Sequence, residues 1–312
     1  MLQRKHKIAG GVIAVLIILG TLAVHVAGNK AAGFVNEMAD RQTVLQGKLQ
    51  IGHFSASVSG NVVFENVVWT APDGKKLAEV PEMNVSSNLF DILKGSFGIN
   101  SINSISIEKP QFAVNYTDKD GLDIINYINF SDKDDETPTE FRGMVEITDG
   151  ALALDMNGQK LDFSNVEMQA NLKEFPDIKF TLQGKNGDAD LIGSIDKVYD
   201  DVTIGAEVKN LQITELMKVL PSFGELSITG GVINGAKLAA GLHGAQWNLK
   251  LDGSLSGVAG KALGYNITDG GGSFAIDNNA ASFTAVKGKV EGRTLTWTAK
   301  SCSRNRACLL MI

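Results

Sequence analysis

The chain has 312 residues, 44% of them apolar and 21% charged, which is too apolar for a wholly disordered protein. Its net charge is -6 with a pI near 5.3, an acidic balance that does not suggest a nucleic-acid binder. Glycine supplies 34 residues, roughly 11% against a usual ~7%, and proline only 6. That balance suits an all-β chain with many turns and excludes collagen, a disulfide scaffold and a coiled coil.

Residues 8–28 form an uncharged run of 21 residues, mostly Ile, Val, Leu, Ala and Gly. About 20 apolar residues cross a bilayer as a helix, because each rises ~1.5 Å and the hydrocarbon core is ~30 Å thick. Ile8, Val12, Leu16, Ile18, Leu22 and Val26 are the expected anchor residues. Arg4, Lys5 and Lys7 precede the run, and positive charge holds that end in the cytoplasm, so the body is sent outward. The alternative is a cleaved signal peptide; its apolar region usually has ~7–15 residues, and this run is longer.

Residues 31–46 read as a short helix, with Phe34, Met38 and Leu45 on one face. From Gly47 onward, period two dominates. Leu49 and Ile51 alternate, as do Val62 and Phe64, then Val67 and Trp69. Ile105 and Ile107 follow, then Phe112, Val114 and Tyr116, then Val145 and Ile147. Leu152, Leu154 and Met156 continue the series, followed by Leu161 and Phe163, and by Val166, Met168 and Ala170. Ile178, Phe180 and Leu182, then Val202 to Val208, then Trp247, Leu249 and Leu251 give clean runs; Phe274 and Ile276 follow, then Leu295 and Trp297. Strict alternation predicts strands with one apolar and one polar face.

Turn signals separate the runs at Pro72-Asp73-Gly74, Asp120-Gly121, Asp149-Gly150, Asn157-Gly158, Asn186-Gly187 and Asn234-Gly235. Asn-Gly and Asp-Gly favour tight hairpins because both residues accept positive φ, which predicts an antiparallel meander. Asp269 with Gly270, Gly271 and Gly272 reads as a further turn. Short helices are predicted over 88–94 after Ser87, over 123–128, and over 214–220 before Pro221. The charged, apolar-free stretch 131–138 reads as a linker. The expected organisation is a basic flank and anchor (1–28), a first β domain (29–130), the acidic linker (131–138), a repetitive β continuation (139–300) and an atypical tail (301–312).

That tail is basic and glycine-free and holds both cysteines, Cys302 and Cys308. It reads as a frameshift or truncation, with an ordinary exposed tail as the alternative. Catalytic patterns are missing. The histidines are His6, His25, His53 and His243, with no His-x-x-x-His pair, and neither a Gly-x-Ser-x-Gly elbow nor a phosphate-binding loop occurs. No catalytic residue, metal or other cofactor is expected; the sequence reads as a scaffold, binder or conduit rather than an enzyme.

Residues 47–128 resemble the N-terminal region of the AsmA-like family, in particular its TamB-like branch. The likeness lies in an ordered series. It runs through Gly47-Lys-Leu-Gln-Ile-Gly, Gly60-Asn-Val-Val-Phe-Glu-Asn-Val-Val and Pro72-Asp-Gly-Lys-Lys-Leu-Ala-Glu-Val-Pro. Val85-Ser-Ser-Asn-Leu-Phe-Asp-Ile-Leu-Lys-Gly, Ile105-Ser-Ile-Glu-Lys-Pro and Asp120-Gly-Leu-Asp-Ile-Ile-Asn complete it. Two later segments, starting at Val145 and Leu226, resemble the family's strand–turn–strand unit more loosely, and the chain is shorter than most members.

The resemblance implies a mainly β fold: a transmembrane helix followed by an elongated, curled antiparallel sheet, groove-like, with a few short helices. It implies a bacterial inner-membrane protein with its body in the periplasm, taking part in phospholipid transfer to the outer membrane or in outer-membrane assembly. The implied partners are the inner membrane, phospholipid acyl chains in the groove, and an outer-membrane assembly protein met through a C-terminal region this chain lacks. The alternative is a tethered structural or adhesive β protein without lipid transport. Phe112, Val114, Tyr116, Leu152, Leu154, Phe180 and Leu182 are the candidate groove lining. Alternation alone leaves an open groove and a closed core equally compatible with these residues.

Overall fold

The computed structural model describes residues 45–57, 59–88, 91, 101–119, 121–127, 141–219, 227–244, 246–262 and 264–303. The membrane run with Ile8, Val12, Leu16, Ile18, Leu22 and Val26 lies outside the described residues, as do the linker 131–138 and the tail from 304 onward. So do the predicted helices at 31–46 and 88–94, apart from Leu45, Gln46, Asn88 and Asp91. Among the described residues no helix is long and apolar enough to cross a membrane.

The protein is mainly β, and the chain divides into two compact units, residues 1–180 and 181–312. In the first, β1 (Lys48–Ala56), β2 (Asn61–Thr70) and β3 (Lys76–Ser87) form an antiparallel set. Then come β4 (Ile102–Glu108), β5 (Gln111–Thr117), the two-residue β6 (Gly121–Leu122) and a short helix, Asp123–Asn126. Next are β7 (Met144–Met156) and β8 (Gln159–Asn171). The strand β9 (Ile178–Asn186) crosses the division between the units.

The second unit is a plain antiparallel succession. It comprises β10 (Ala189–Val198), β11 (Asp201–Gln212), a helix (Ile213–Val219), β12 (Ser227–His243) and β13 (Gln246–Ala262). β14 (Tyr265–Asp277), β15 (Ala280–Val290) and β16 (Arg293–Ser303) follow.

Two expectations are corrected. The sheet is mixed rather than antiparallel: β4 and β5 both pair with β7 in parallel. The stretch between β5 and β7 is long enough for the crossover a parallel pair requires. These pairings join residues 102–117 to 144–156 within the first compact unit. Finally, Asp149-Gly150, Asn234-Gly235 and the glycines after Asp269 are not turns but lie inside β7, β12 and β14. As a result β12 and β13 reach 17 residues each. Asn157-Gly158 and Asn186-Gly187 do form turns, with Gly158 and Gly187 at positive φ.

The mid-strand signals have a common explanation. In β2, β3 and β7 of the first unit, buried positions recur mainly every second residue, with one step of three in each. The step falls between Phe64 and Val67 in β2 and between Val80 and Met83 in β3. It falls between Ile147 and Gly150 in β7. A step of three would put the second side chain on the wrong face of a regular strand. Asn66 (φ 54°) in β2 and Asp149 (φ 53°) in β7 adopt the left-handed conformation within these steps and restore the face, as Asn165 (φ 48°) does in β8; β3 makes its step through Pro81 and Glu82 without a left-handed residue, and Lys109 (φ 51°) stands between β4 and β5. Asn and Asp tolerate this conformation because their short polar side chains bond locally.

These residues are aligned. Gly52 and Pro81 stand opposite Asn66 on its two neighbours, Lys109 follows opposite Pro81, and the parallel register sets Lys109 beside Asp149. The row therefore runs across the strands. A bulge-like residue bends its strand, so a row of them creases the sheet along one line. The apolar face stays continuous on both sides of the crease. In this unit it is sealed: Phe64, Leu77, Met83, Ile102, Ile105, Ile107 and Val145 are fully buried.

One polar cluster closes the end of this core. Asp123, which opens the short helix, accepts hydrogen bonds from the Asn115 backbone N–H (2.8 Å) and the Lys75 ammonium (2.6 Å). Ile124 is thereby held in the core. The Tyr127 hydroxyl meets Asp73 at 3.4 Å, and desolvation, followed by the charges of Asp73 and Asp123, raises its pKa.

Candidate functional site

The second unit repeats the crease with a different outcome. Asn210 (φ 56°), Gly257 (φ 61°), Asp269 (φ 54°) and Ala285 (φ 52°) interrupt β11, β13, β14 and β15. Register shifts occur in the last three. Apolar steps of three again span them, from Val208 to Leu211 and from Phe283 to Val286.

On one side of this crease the register lines up apolar side chains in rows that cross the strands. One row is Leu191, Val208, Ala236, Gly253, Phe274 and Phe283. The next holds Ala206, Leu238, Leu251, Ile276 and Ala281. Nearer the turns come Ile195, Ile204, Ala240 and Leu249, and at the margin Lys197, Val202, Leu242 and Trp247. Directly opposite residues in antiparallel strands share a face, so these rows form one continuous apolar surface. Gly253 belongs to it by necessity: a Cβ there would lie 2.7 Å from the Phe274 ring and 2.7 Å from the Gly235 carbonyl oxygen.

This face is not sealed. Leu249 is 42% exposed, Phe283 42% and Trp247 56%, whereas the buried apolar residues among those described in this unit are Ala189, Ile213 and Ile233, none of them fully buried. Across the crease, β13 to β16 enclose an apolar hollow of about 250 Å³ lined by Leu255, Val258, Ile267, Val286, Val290 and Leu295, with Phe274 and Phe283 at its border. The opposite face is charged. Glu207 lies 3.2 Å from both Lys209 and Lys237, and hydrogen bonds from these two lysines hold its carboxyl below the usual glutamate range. Lys289 bonds Asp269 at 2.8 Å, which raises the lysine's pKa. Backbone N–H groups of Asn279 and Ala280 lower the pKa of Asp277 in the turn between β14 and β15.

The residues expected to line a groove fall into two environments. Phe112 pairs with Leu152, Val114 with Leu154, and Tyr116 with Met156, so the parallel register brings them together. Val114 is buried, and Phe112, Leu152, Leu154 and Phe180 pack against the sealed core of the first unit. Leu182, in the second unit, is 39% exposed. Sequence reasoning passed over Leu238, Trp247, Leu249, Leu251, Phe274 and Phe283 as site residues. The alternation of Trp247, Leu249 and Leu251 was the signal that could have found them.

Among the described residues no group of three or more His, Cys, Asp or Glu side chains is arranged to hold a metal ion. His243 Nδ1 lies 3.3 Å from Asp201 on an exposed edge. The chain matches no protein-family model, no curated protein and no solved structure.

Proposed function

We propose that the chain is an inner-membrane-anchored periplasmic protein of AsmA/TamB type that carries phospholipid acyl chains along an apolar sheet face toward the outer membrane. The observation that carries this reading is the set of cross-strand apolar rows in residues 181–312, in which Ile195, Trp247, Leu249 and Phe283 are 39–56% exposed and most of the others half-buried. Acyl chains gain ~0.8 kcal/mol for each CH2 removed from water, and the rows run in the direction a chain would travel from strand to strand. The headgroup stays in solvent, so no charge is buried. The run at 8–28 serves in this reading as the anchor.

The test is lipid content. The full chain is extracted from membranes in mild detergent, and phospholipid is quantified per protein for the wild type and for Leu249→Asp/Phe283→Asp. The expected result is a several-fold loss of lipid in the double variant, with an unchanged far-UV spectrum. Equal lipid content in the folded variant would overturn the reading and favour a tethered structural or adhesive role.

A further inference from the structure

The apolar rows lead into the hollow across the crease. Phe274 and Phe283 pair directly between β14 and β15 in the first row, and both also border the hollow of about 250 Å³. Its walls are Leu255 and Val258 of β13, Val286 and Val290 of β15, and Leu295 of β16. Between these walls β14 passes as Gly270, Gly271 and Gly272, so its floor has no side chains. The strands approach closely there. A Cβ at Gly270 would lie 3.0 Å from Val258 Cβ, one at Gly271 3.0 Å from the Leu255 carbonyl oxygen, and one at Gly272 3.0 Å from Val286 Cα. Register shifts in the β13–β14, β14–β15 and β15–β16 pairings accompany this approach.

The chemistry of the hollow is uniform. Of the residues around it only Lys287 is charged and only Ser273 carries a hydroxyl, and both are exposed. A headgroup placed inside would lose water without gaining a hydrogen-bond partner, whereas a hydrocarbon loses nothing. An apolar cavity of roughly 150 Å³ takes up a benzene-sized molecule, which by proportion gives this hollow room for roughly six to ten carbons.

We infer that the hollow seats the terminal segment of one alkyl chain whose remainder lies on the apolar rows beyond Phe274 and Phe283. This assignment rests on the acyl-chain reading above and adds a selectivity: a chain long enough to reach the hollow binds more tightly than one that ends on the rows. Each CH2 taken out of water raises affinity about fourfold, so two or three more of them inside the hollow give roughly tenfold or more.

The full chain is extracted in a steroidal detergent, which has no alkyl tail to compete. Monoacyl phosphocholines with a short and a long saturated chain are then titrated by displacement of a fluorescent fatty acid. Leu295→Trp and Val290→Phe each fill part of the hollow, and Leu295→Ala leaves it open. The wild type is expected to prefer the long chain by roughly tenfold or more. Both filling variants should lose most of that preference while keeping the short-chain affinity and the wild-type far-UV spectrum, and Leu295→Ala should retain most of it. An unaltered preference in the folded filling variants, or an equal loss for both chains, overturns the hollow assignment and leaves the acyl-chain reading standing. Equal binding of both chains by the wild type also overturns it, the hollow then being filled from within the protein. Failure of the wild type to bind either chain overturns the acyl-chain reading as well.

Discussion

Replacing Asn66 by Val tests whether the crease is built by left-handed residues. Asn66 is exposed at φ 54°, and the side chains beyond it, Val67 and Trp69, are each 2% exposed. If β2 kept regular alternation, both would turn to the outer face. Losing two such burials costs roughly 1.5–3 kcal/mol each. Holding a non-glycine residue in the left-handed region costs ~1–2 kcal/mol, and a β-branched residue lies at the upper end. The strain is smaller than the loss, so the strand keeps the crease in the variant. Asn66→Val is therefore expected to lose about 1–2 kcal/mol of stability, while Asn66→Gly stays within ~1 kcal/mol of wild type. Hydrogen exchange of the β2 amides reads the difference locally, and urea unfolding reads it globally. Equal protection in the Val and Gly variants would refute the strain argument; so would a Val variant more stable than the wild type.

Two further outcomes are expected. Gly253→Val should destabilise the second unit by about 1–3 kcal/mol, because its Cβ meets the Phe274 ring and the Gly235 carbonyl; a melting temperature equal to wild type would contradict this. Glu207 titrates below the ordinary glutamate range, so its contribution to stability is fully present above that range and is lost as pH falls through the lowered folded-state pKa. Side-chain NMR titration should show the depressed midpoint, and Lys209→Ala/Lys237→Ala should return it toward the ordinary value.

Much of the strand pattern is legible in the sequence because half-buried strands alternate. The runs from Val202 to Val208 and from Trp247 to Leu251 fall inside observed strands. The helix expected over 214–220 is observed as Ile213–Val219, and that over 123–128 as Asp123–Asn126. What misleads is Asp149-Gly150. The preference for positive φ that makes a hairpin turn also makes a mid-strand bend, and only the three-residue step from Ile147 to Gly150 distinguishes them. Asn234-Gly235 misleads in the same way: Asn234 faces the left-handed Asn210 on β11 and is itself the extra residue of a register shift against β13.

The parallel pairing of β4 and β5 with β7 is not legible, because register is set by contacts far apart in sequence. The difference between the two units is likewise hidden. Val114 and Leu249 have the same alternating context, yet one is 8% and the other 42% exposed. Alternation reports which face is apolar and says nothing of what covers it.

If the exposed apolar rows of residues 181–312 carry lipid, their side chains touch acyl chains in the cell. Photo-crosslinking residues at Leu249, Leu251 and Phe283, with Thr203 and Lys250 as controls on the opposite face, test it most directly in living cells. Covalent phospholipid adducts are expected at the first three positions and none at the controls. Adducts at neither set in well-expressed protein, or equal adducts at both, would contradict it.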